Sequence, residues 1–399
     1  MPEPSHSSGR FRLFRILTPI FAVLAVCLCF EAGLRIAGFN PLQAYLSSQG
    51  REFYIRESAN PKLRHELNPG FQGKVGNCDI RINSAGLRGH EVETGRSDRV
   101  RIALLGDSIV FARQVAEAEI FPTLLENRLR RIRPDVDVLN LGVEGFDTLE
   151  EVEFLKDIGL KLHPDYVILF YSMNDIGMSL VDTDYQKRFM KPRIPLRYAS
   201  RFWLWVELKI RRINLQKTLT QRIDSGLMIE EAYAGLFSPA EKDAFLKARF
   251  AEIDAAQAVF NRIKSNRRKA IMEKSGRLWL QEYKSLQNIG KIRYGLEELK
   301  KLAEAKSFRL LVGIIPYFYK IDGIYLDAPA HAIVRRETER LGLETVDFYE
   351  ALNARGLETL SLDGVHLNVR GHKAMAEILE QILAPRLASG KADDSGRGK

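Results

Sequence analysis

The chain has 399 residues, 45% hydrophobic and 28% charged, with a formal net charge of +9. That length suits one large α/β domain with an insertion or two modest domains, and the composition excludes a wholly disordered or fibrous chain. No fixed-period repeat is present, which excludes a solenoid, and Cys27, Cys29 and Cys78 frame neither a disulfide scaffold nor a metal site, so no metal and no cofactor is expected.

Arg10, Arg12 and Arg15 precede an apolar run from Ile16 to Phe30. Continued to Phe39 the run is long enough to span a bilayer, which takes roughly 20 residues. Glu31 and Arg35 lie four apart on one helical face, where each partly neutralises the other. Residues 1–15 are therefore expected as a basic cytoplasmic N-terminus. Residues 16–39 are expected as a single-pass anchor in the inner membrane, which puts the rest outside it. A cleaved signal peptide is the rival reading, but no small-residue cleavage site follows Phe30.

Residues 40–97 read as an irregular or β-rich entry region, punctuated by Pro61, Pro69, Gly70, Gly73 and Gly76. Within it, Asp79–Asn83 alternates as a half-buried strand would. From 98 to 386 the chain carries an α/β rhythm. Apolar strand-like runs at Val100–Leu105, Val136–Leu141 and Tyr166–Tyr171 alternate with helical spacing over Phe121–Ile132 and Thr148–Ile158. Continuous apolar strands between helices predict a mostly parallel sheet covered on both faces.

The rhythm breaks at about 181–294, a helical and basic insertion. Ser238-Pro239-Ala240-Glu241 starts a helix there with a capping box, and Phe245, Phe250, Ile253 and Phe260 supply its apolar positions. Trp203 and Trp205, near the front of the insertion, are expected in its core, with contact to a membrane surface as the alternative. Positive charge concentrates over 181–300, as a solvated helical face or as a contact for an anionic surface of lipid head groups or acidic polysaccharide. Nucleic acid is excluded by the expected compartment. The α/β pattern resumes with a helix at 295–306, strands at Leu310–Ile315 and Thr345–Phe348, and a final helix from about 371. Residues 387–399 are small and polar, a disordered tail.

Metal-free ester hydrolysis needs an activated nucleophile, an oriented base and donors for the developing oxyanion. Ser108, in Gly106-Asp107-Ser108-Ile109, sits where the first apolar strand turns toward a helix, at the edge where parallel sheets bind ligands. Taken alone, this turn is equally a helix cap. His366 follows Asp363 by three residues in Asp363-Gly364-Val365-His366, so one turn can bring the carboxylate to the ring and fix its tautomer. His6 precedes the anchor; His65, His90 and His331 show no matching acid in the sequence. His163 enters a strand, and His372 belongs to the first turn of the last helix. Asn140–Gly145 and Ser172–Asp175 each follow a strand, and offer a glycine amide and the Asn174 side chain as donors.

In this order the four segments resemble the blocks of the GDSL, or SGNH, hydrolase family. The resemblance covers about 99–180 and 295–386. It implies a flavodoxin-like three-layer α/β/α fold, a triad of Ser108, Asp363 and His366, and an oxyanion hole from the Ser108 amide, the Gly145 amide and the Asn174 side chain. Ser172 departs from the pattern, which usually has glycine there. The function expected is a membrane-anchored serine esterase acting on an acylated glycan or lipid. Two alternatives stand beside it: an O-acyltransferase for a cell-surface glycan with the same triad, and a non-catalytic anchored module that binds through the basic insertion.

Overall fold

The structure, a computed structural model, describes residues 8–39, 54–56, 58, 60, 62–63, 65–95, 97–176, 200–202, 206, 233, 235–262 and 279–389. The chain divides into two units: Met1–Glu52 with Lys187–Ser225, and Phe53–Gln186 with Gly226–Lys399.

In the first unit α1 runs over Ser8–Ile36. Its Leu17–Ile36 stretch, 20 residues with a mean hydropathy of 2.1, is long and apolar enough to cross a membrane; a signal sequence passes the same test. Arg35 Nε meets Glu31 Oε1 at 2.6 Å across one helical turn. The other Glu31 oxygen accepts the Phe202 amide at 2.8 Å and the Ser200 hydroxyl at 3.0 Å. Phe202 also meets Phe30 edge-on, with ring centroids 5.6 Å apart. Trp203, Trp205 and much of 181–294 lie outside the described residues.

The second unit begins with two small antiparallel pairs, β1 (Ile55–Arg56) with β2 (Glu66–Leu67), and β3 (Gln72–Val75) with β4 (Cys78–Arg81). The alternating stretch expected at Asp79–Asn83 is thus a strand one residue earlier, ending in an isolated bridge from Ile82 to Arg88.

Five parallel strands follow: β5 (Val100–Gly106), β6 (Val136–Gly142), β7 (Tyr166–Ser172), β8 (Arg309–Ile315) and β9 (Glu344–Asp347). They lie in the order β6-β5-β7-β8-β9. Counted within the sheet this is 2-1-3-4-5, the flavodoxin-like arrangement, with its switch point beside the first strand. Every residue of β5, β6 and β7 is buried, as the unbroken apolar runs imply.

Strand alternation divides the core in two. Ala103, Leu105, Val167 and Leu169 face a layer built from α4 (Thr148–Asp157), α5 (Pro239–Asn261), α6 (Leu286–Lys306) and α7 (Ala328–Arg340). Ile102, Leu104, Ile168 and Phe170 face α3 (Phe121–Leu129), α8 (Tyr349–Asn353) and α9 (Val369–Ser389), while one-turn α2 spans Ser108–Phe111. The result is a three-layer α/β/α sandwich.

Three details differ from the sequence reading. Helix α6 begins at Leu286, not near 295. Helix α7 was not anticipated. Helix α9 continues to Ser389, past the start expected for a disordered tail, and 390–399 lie outside the described residues. The capping box at Ser238 is present: its hydroxyl accepts the Glu241 amide while the Glu241 carboxylate accepts the Ser238 amide. Ile253 and Phe260 of that helix are buried.

Candidate active site

The carboxyl ends of the strands carry the polar residues. At the end of β5, Asp107 caps α2 by accepting the Ile109 amide at 2.9 Å, which places Ser108 on the first helical residue. Gly142, at the end of neighbouring β6, is what lets this turn pack so closely. A Cβ there would stand 2.3 Å from the Phe111 nitrogen. Asn140 ties the same two elements, donating to the Val110 carbonyl at 3.0 Å and accepting the Gly142 amide at 2.9 Å. Among the described residues the Ser108 amide has no acceptor, as expected for an N–H in the first helical turn.

From the opposite end of the chain a tight loop between α8 and α9 brings Asp363 and His366. Ser361 organises it. Its hydroxyl accepts the Gly364 amide at 2.8 Å and donates to the His366 carbonyl at 2.8 Å. Gly364 adopts a φ of 92°, a left-handed conformation that favours glycine. Its carbonyl accepts the Phe318 amide at 2.8 Å, which ties the loop to the chain after β8.

Here the distant segments meet. Ser108 Oγ lies 3.0 Å from His366 Nε2, and His366 Nδ1 lies 2.7 Å from Asp363 Oδ2. The other Asp363 oxygen accepts the Val365 and His366 amides at 2.9 and 2.8 Å. Burial opposes a charge on His366, but the hydrogen bond and charge of Asp363, with Asp107 and Glu144 farther off, outweigh it and raise the imidazole above its ordinary pKa. Asp363 shows the converse: burial pushes it up, while His366 and the two amides hold it below the usual carboxylate value.

Asn174 follows β7 and donates from Nδ2 to Asp107 Oδ2 at 3.2 Å. Ser172 donates to Asp107 Oδ1, also at 3.2 Å, so the residue that departs from the family pattern reinforces Asp107. Gly145 lies in the loop after β6 with a φ of 79°. Behind these residues burial drives Asp107, Asp175 and Glu151 toward the neutral form, the last two strongly, and their mutual charges push Asp175 and Glu151 the same way.

The sequence reading missed Asp107 as a hub, although its place between Gly106 and Ser108 could have suggested one. It also found no acid for His331, and the structure corrects this. His331 Nδ1 meets Asp347 at 2.9 Å and Nε2 meets Tyr325 at 2.7 Å, so both ring nitrogens are engaged away from Ser108. The pairing spans strand β9 and helix α7, and no local spacing announces it. His90 likewise comes within 3.8 Å of Glu126. Together with Asp137 these two gather their potential ligand atoms within 4.8 Å. Arg99, Arg130 and the Val138 amide already occupy the two carboxylates, which leaves a neutralised cluster. His372 stands in the first turn of α9 and accepts the Phe121 amide at 3.2 Å. Burial, with Arg88 and His366 nearby, lowers its pKa to about 3, so it serves as a neutral acceptor.

Residues 104–265 match the GDSL-like lipase/acylhydrolase family. The match holds Ser108, Gly145 and Asn174 but ends before Asp363 and His366. It supports an ester-hydrolysing serine hydrolase. No curated protein matches the chain. Among solved structures, an α/β hydrolase from the metagenome of Lake Arreo is 16% identical, over 71% of this chain and 94% of its own, with a TM-score of 0.36. An acetylxylan esterase from Geobacillus stearothermophilus, solved as a catalytic mutant, is 13% identical over 73% and 95%, with a TM-score of 0.36. A G-D-S-L lipolytic protein from Veillonella parvula is 14% identical over 71% and 97%, at 0.35.

Proposed function

We propose that the protein is a serine esterase, held at a membrane by its N-terminal helix, that cleaves an acyl ester of a glycan or lipid through an acyl-enzyme on Ser108. One observation carries the reading: the chain from Ser108 Oγ at 3.0 Å to His366 Nε2, and from His366 Nδ1 at 2.7 Å to Asp363.

Ser108 Oγ attacks the ester carbonyl while His366 Nε2 takes its proton, and Asp363 holds the Nδ1–H tautomer and stabilises the imidazolium. Negative charge gathers on the carbonyl oxygen. The Ser108 and Gly145 amides and the Asn174 amide group are the donors proposed for it. Asp107 accepts from Asn174 Nδ2 at 3.2 Å and so orients an amide group that has two hydrogens to donate. Return of the proton from His366 to the alcohol oxygen releases the alcohol. Water, deprotonated by the same ring, then attacks the acyl-enzyme, and Ser108 leaves with the proton.

The membrane part rests on the apolar Leu17–Ile36 stretch, with the catalytic unit proposed on the extracytoplasmic side of the inner membrane. The full-length protein is expected to stay in the membrane pellet after alkaline carbonate washing. A fluorophosphonate probe is expected to label wild type and not Ser108→Ala. Correctly folded wild type that stays unlabelled, and turns over none of a series of p-nitrophenyl esters or acetylated sugars, would refute the reading.

A further inference from the structure

The residues that hold the loop after β6 come from the segment that precedes the sheet. Glu144 stands next to Gly145 in that loop and is buried. One of its carboxylate oxygens accepts the Tyr54 hydroxyl. The other accepts Arg113 Nε at 2.9 Å. The Glu144 carbonyl lies 2.9 Å from His65 Nε2, which must therefore carry the proton. The His65 ring packs against Phe146 on the far side of Gly145, with centroids 5.3 Å apart. Tyr54 is fully buried and stacks on Phe111 of α2, with ring centroids 5.5 Å apart and planes 10° from parallel.

We infer that Tyr54, His65 and Arg113 are positioning residues which, through Glu144, fix the backbone that presents the Gly145 amide to the oxyanion. The inference rests on the esterase reading and on the donor role proposed there for Gly145. Its physical basis is geometric. Gly145 sits at a φ of 79°, in a loop whose peptide planes are free to rotate unless neighbouring atoms hold them. The loop is gripped at the side chain and carbonyl of residue 144 and at the ring of residue 146. Two of the three gripping residues, Tyr54 and His65, precede the 104–265 family match, so part of the support for this loop comes from the segment before the sheet. Tyr54 joins this loop to the nucleophile helix, and a shift in one is felt by the other.

A clamp that served only stability would lower the melting temperature and leave turnover per folded molecule unchanged. A positioning clamp acts on kcat. Displacements near 1 Å cost on the order of a hundredfold in rate, and loosening one of three grips is expected to cost about tenfold. In the full-length, detergent-solubilised protein, assayed on a p-nitrophenyl ester well below every melting point, Tyr54→Phe and Arg113→Ala should each lower kcat about tenfold, with KM within about twofold. Because both act through Glu144, Tyr54→Phe combined with Glu144→Gln should be little worse than Glu144→Gln alone. Arg113 is partly exposed, and its variant covers the case in which Tyr54→Phe fails to fold. An active wild type whose Tyr54→Phe and Arg113→Ala forms keep full kcat overturns this inference alone. A wild type that is neither active nor labelled overturns the esterase reading and this inference together.

Discussion

Asp363→Asn isolates what the carboxylate does, because the amide is nearly isosteric and faces two competing demands. Asp363 Oδ1 accepts two backbone amides, at 2.9 and 2.8 Å, while Oδ2 accepts from His366 Nδ1 at 2.7 Å. Asparagine has one acceptor oxygen. If that oxygen stays with the amides, the NH₂ group faces Nδ1 and forces the proton onto Nε2, where it blocks acceptance from Ser108. If the side chain flips, the ring keeps its tautomer but two backbone amides lose their acceptor, at about 1 kcal/mol each. The first arrangement is favoured by about 2 kcal/mol, roughly a thirtyfold preference for the inactive tautomer, before the lost imidazolium stabilisation is added. In serine proteases with a Ser-His-Asp triad, the same change costs about 10⁴ in kcat. We expect a fall of about 10³–10⁴, with the melting temperature within a few degrees of wild type. The pH profile supplies a second reading. His366 has a raised pKa in the folded protein and acts as a base only when neutral, so kcat/KM of wild type should fall as pH drops through a value above 6.5. Without the Asp363 charge that limb should move to lower pH in any residual activity. A variant that keeps a third of wild-type kcat, with its acid limb unmoved, refutes the assigned role of Asp363.

Other outcomes follow from neighbouring residues. Asn174→Ala should lower kcat about 10²–10³-fold, read on the same chromogenic ester, with the fold intact by circular dichroism. Glu151 is fully buried, neither carboxylate oxygen has a hydrogen-bond partner among the described residues, and burial raises its pKa well above the usual value. Such a group favours the native state below the unfolded carboxylate pKa, and that contribution is lost progressively as pH rises toward the folded value. Glu151→Gln should therefore raise the melting temperature at pH 7–8 and flatten its decline from pH 5 upward; an unchanged slope would count against a protonated Glu151. Gly142→Ala drives a methyl against the α2 backbone at 2.3 Å, and should cost about 3 kcal/mol or more by denaturant unfolding as well as displacing Ser108.

What could be read in advance was whatever local chemistry announces. Strands buried on both faces show as unbroken apolar runs, so β5, β6 and β7 stood out, and the Asp363–His366 pair shares a single turn. Helix α6 looks shorter in the sequence than it is because its first turns bury Lys291 and Arg293, residues that ordinarily mark solvent-facing positions. In the structure Arg293 pairs with buried Glu337 at 2.8 Å, and Lys291 reaches the Ile176 carbonyl at 3.4 Å. Helix α7 escapes the sequence for a related reason: Glu337, Thr338 and His331 face inward, and among its many charged residues few large apolar ones mark a core face. The meeting of Ser108 with His366 is long-range, and no spacing in the sequence encodes its distance.

Arg88 carries a practical consequence for anyone trimming the protein. Its guanidinium donates to the carbonyls of Phe111 and Ala112, both at 2.5 Å, and of Val115 at 2.7 Å, just where the one-turn helix that begins at Ser108 runs out of partners of its own. Shortening the chain to begin at the first sheet strand would retain every group of the proposed hydroxyl–imidazole–carboxylate relay. It would also strip those carbonyls of their cation in the interior, so the minimal expressible enzyme starts well upstream of the minimal recognisable one.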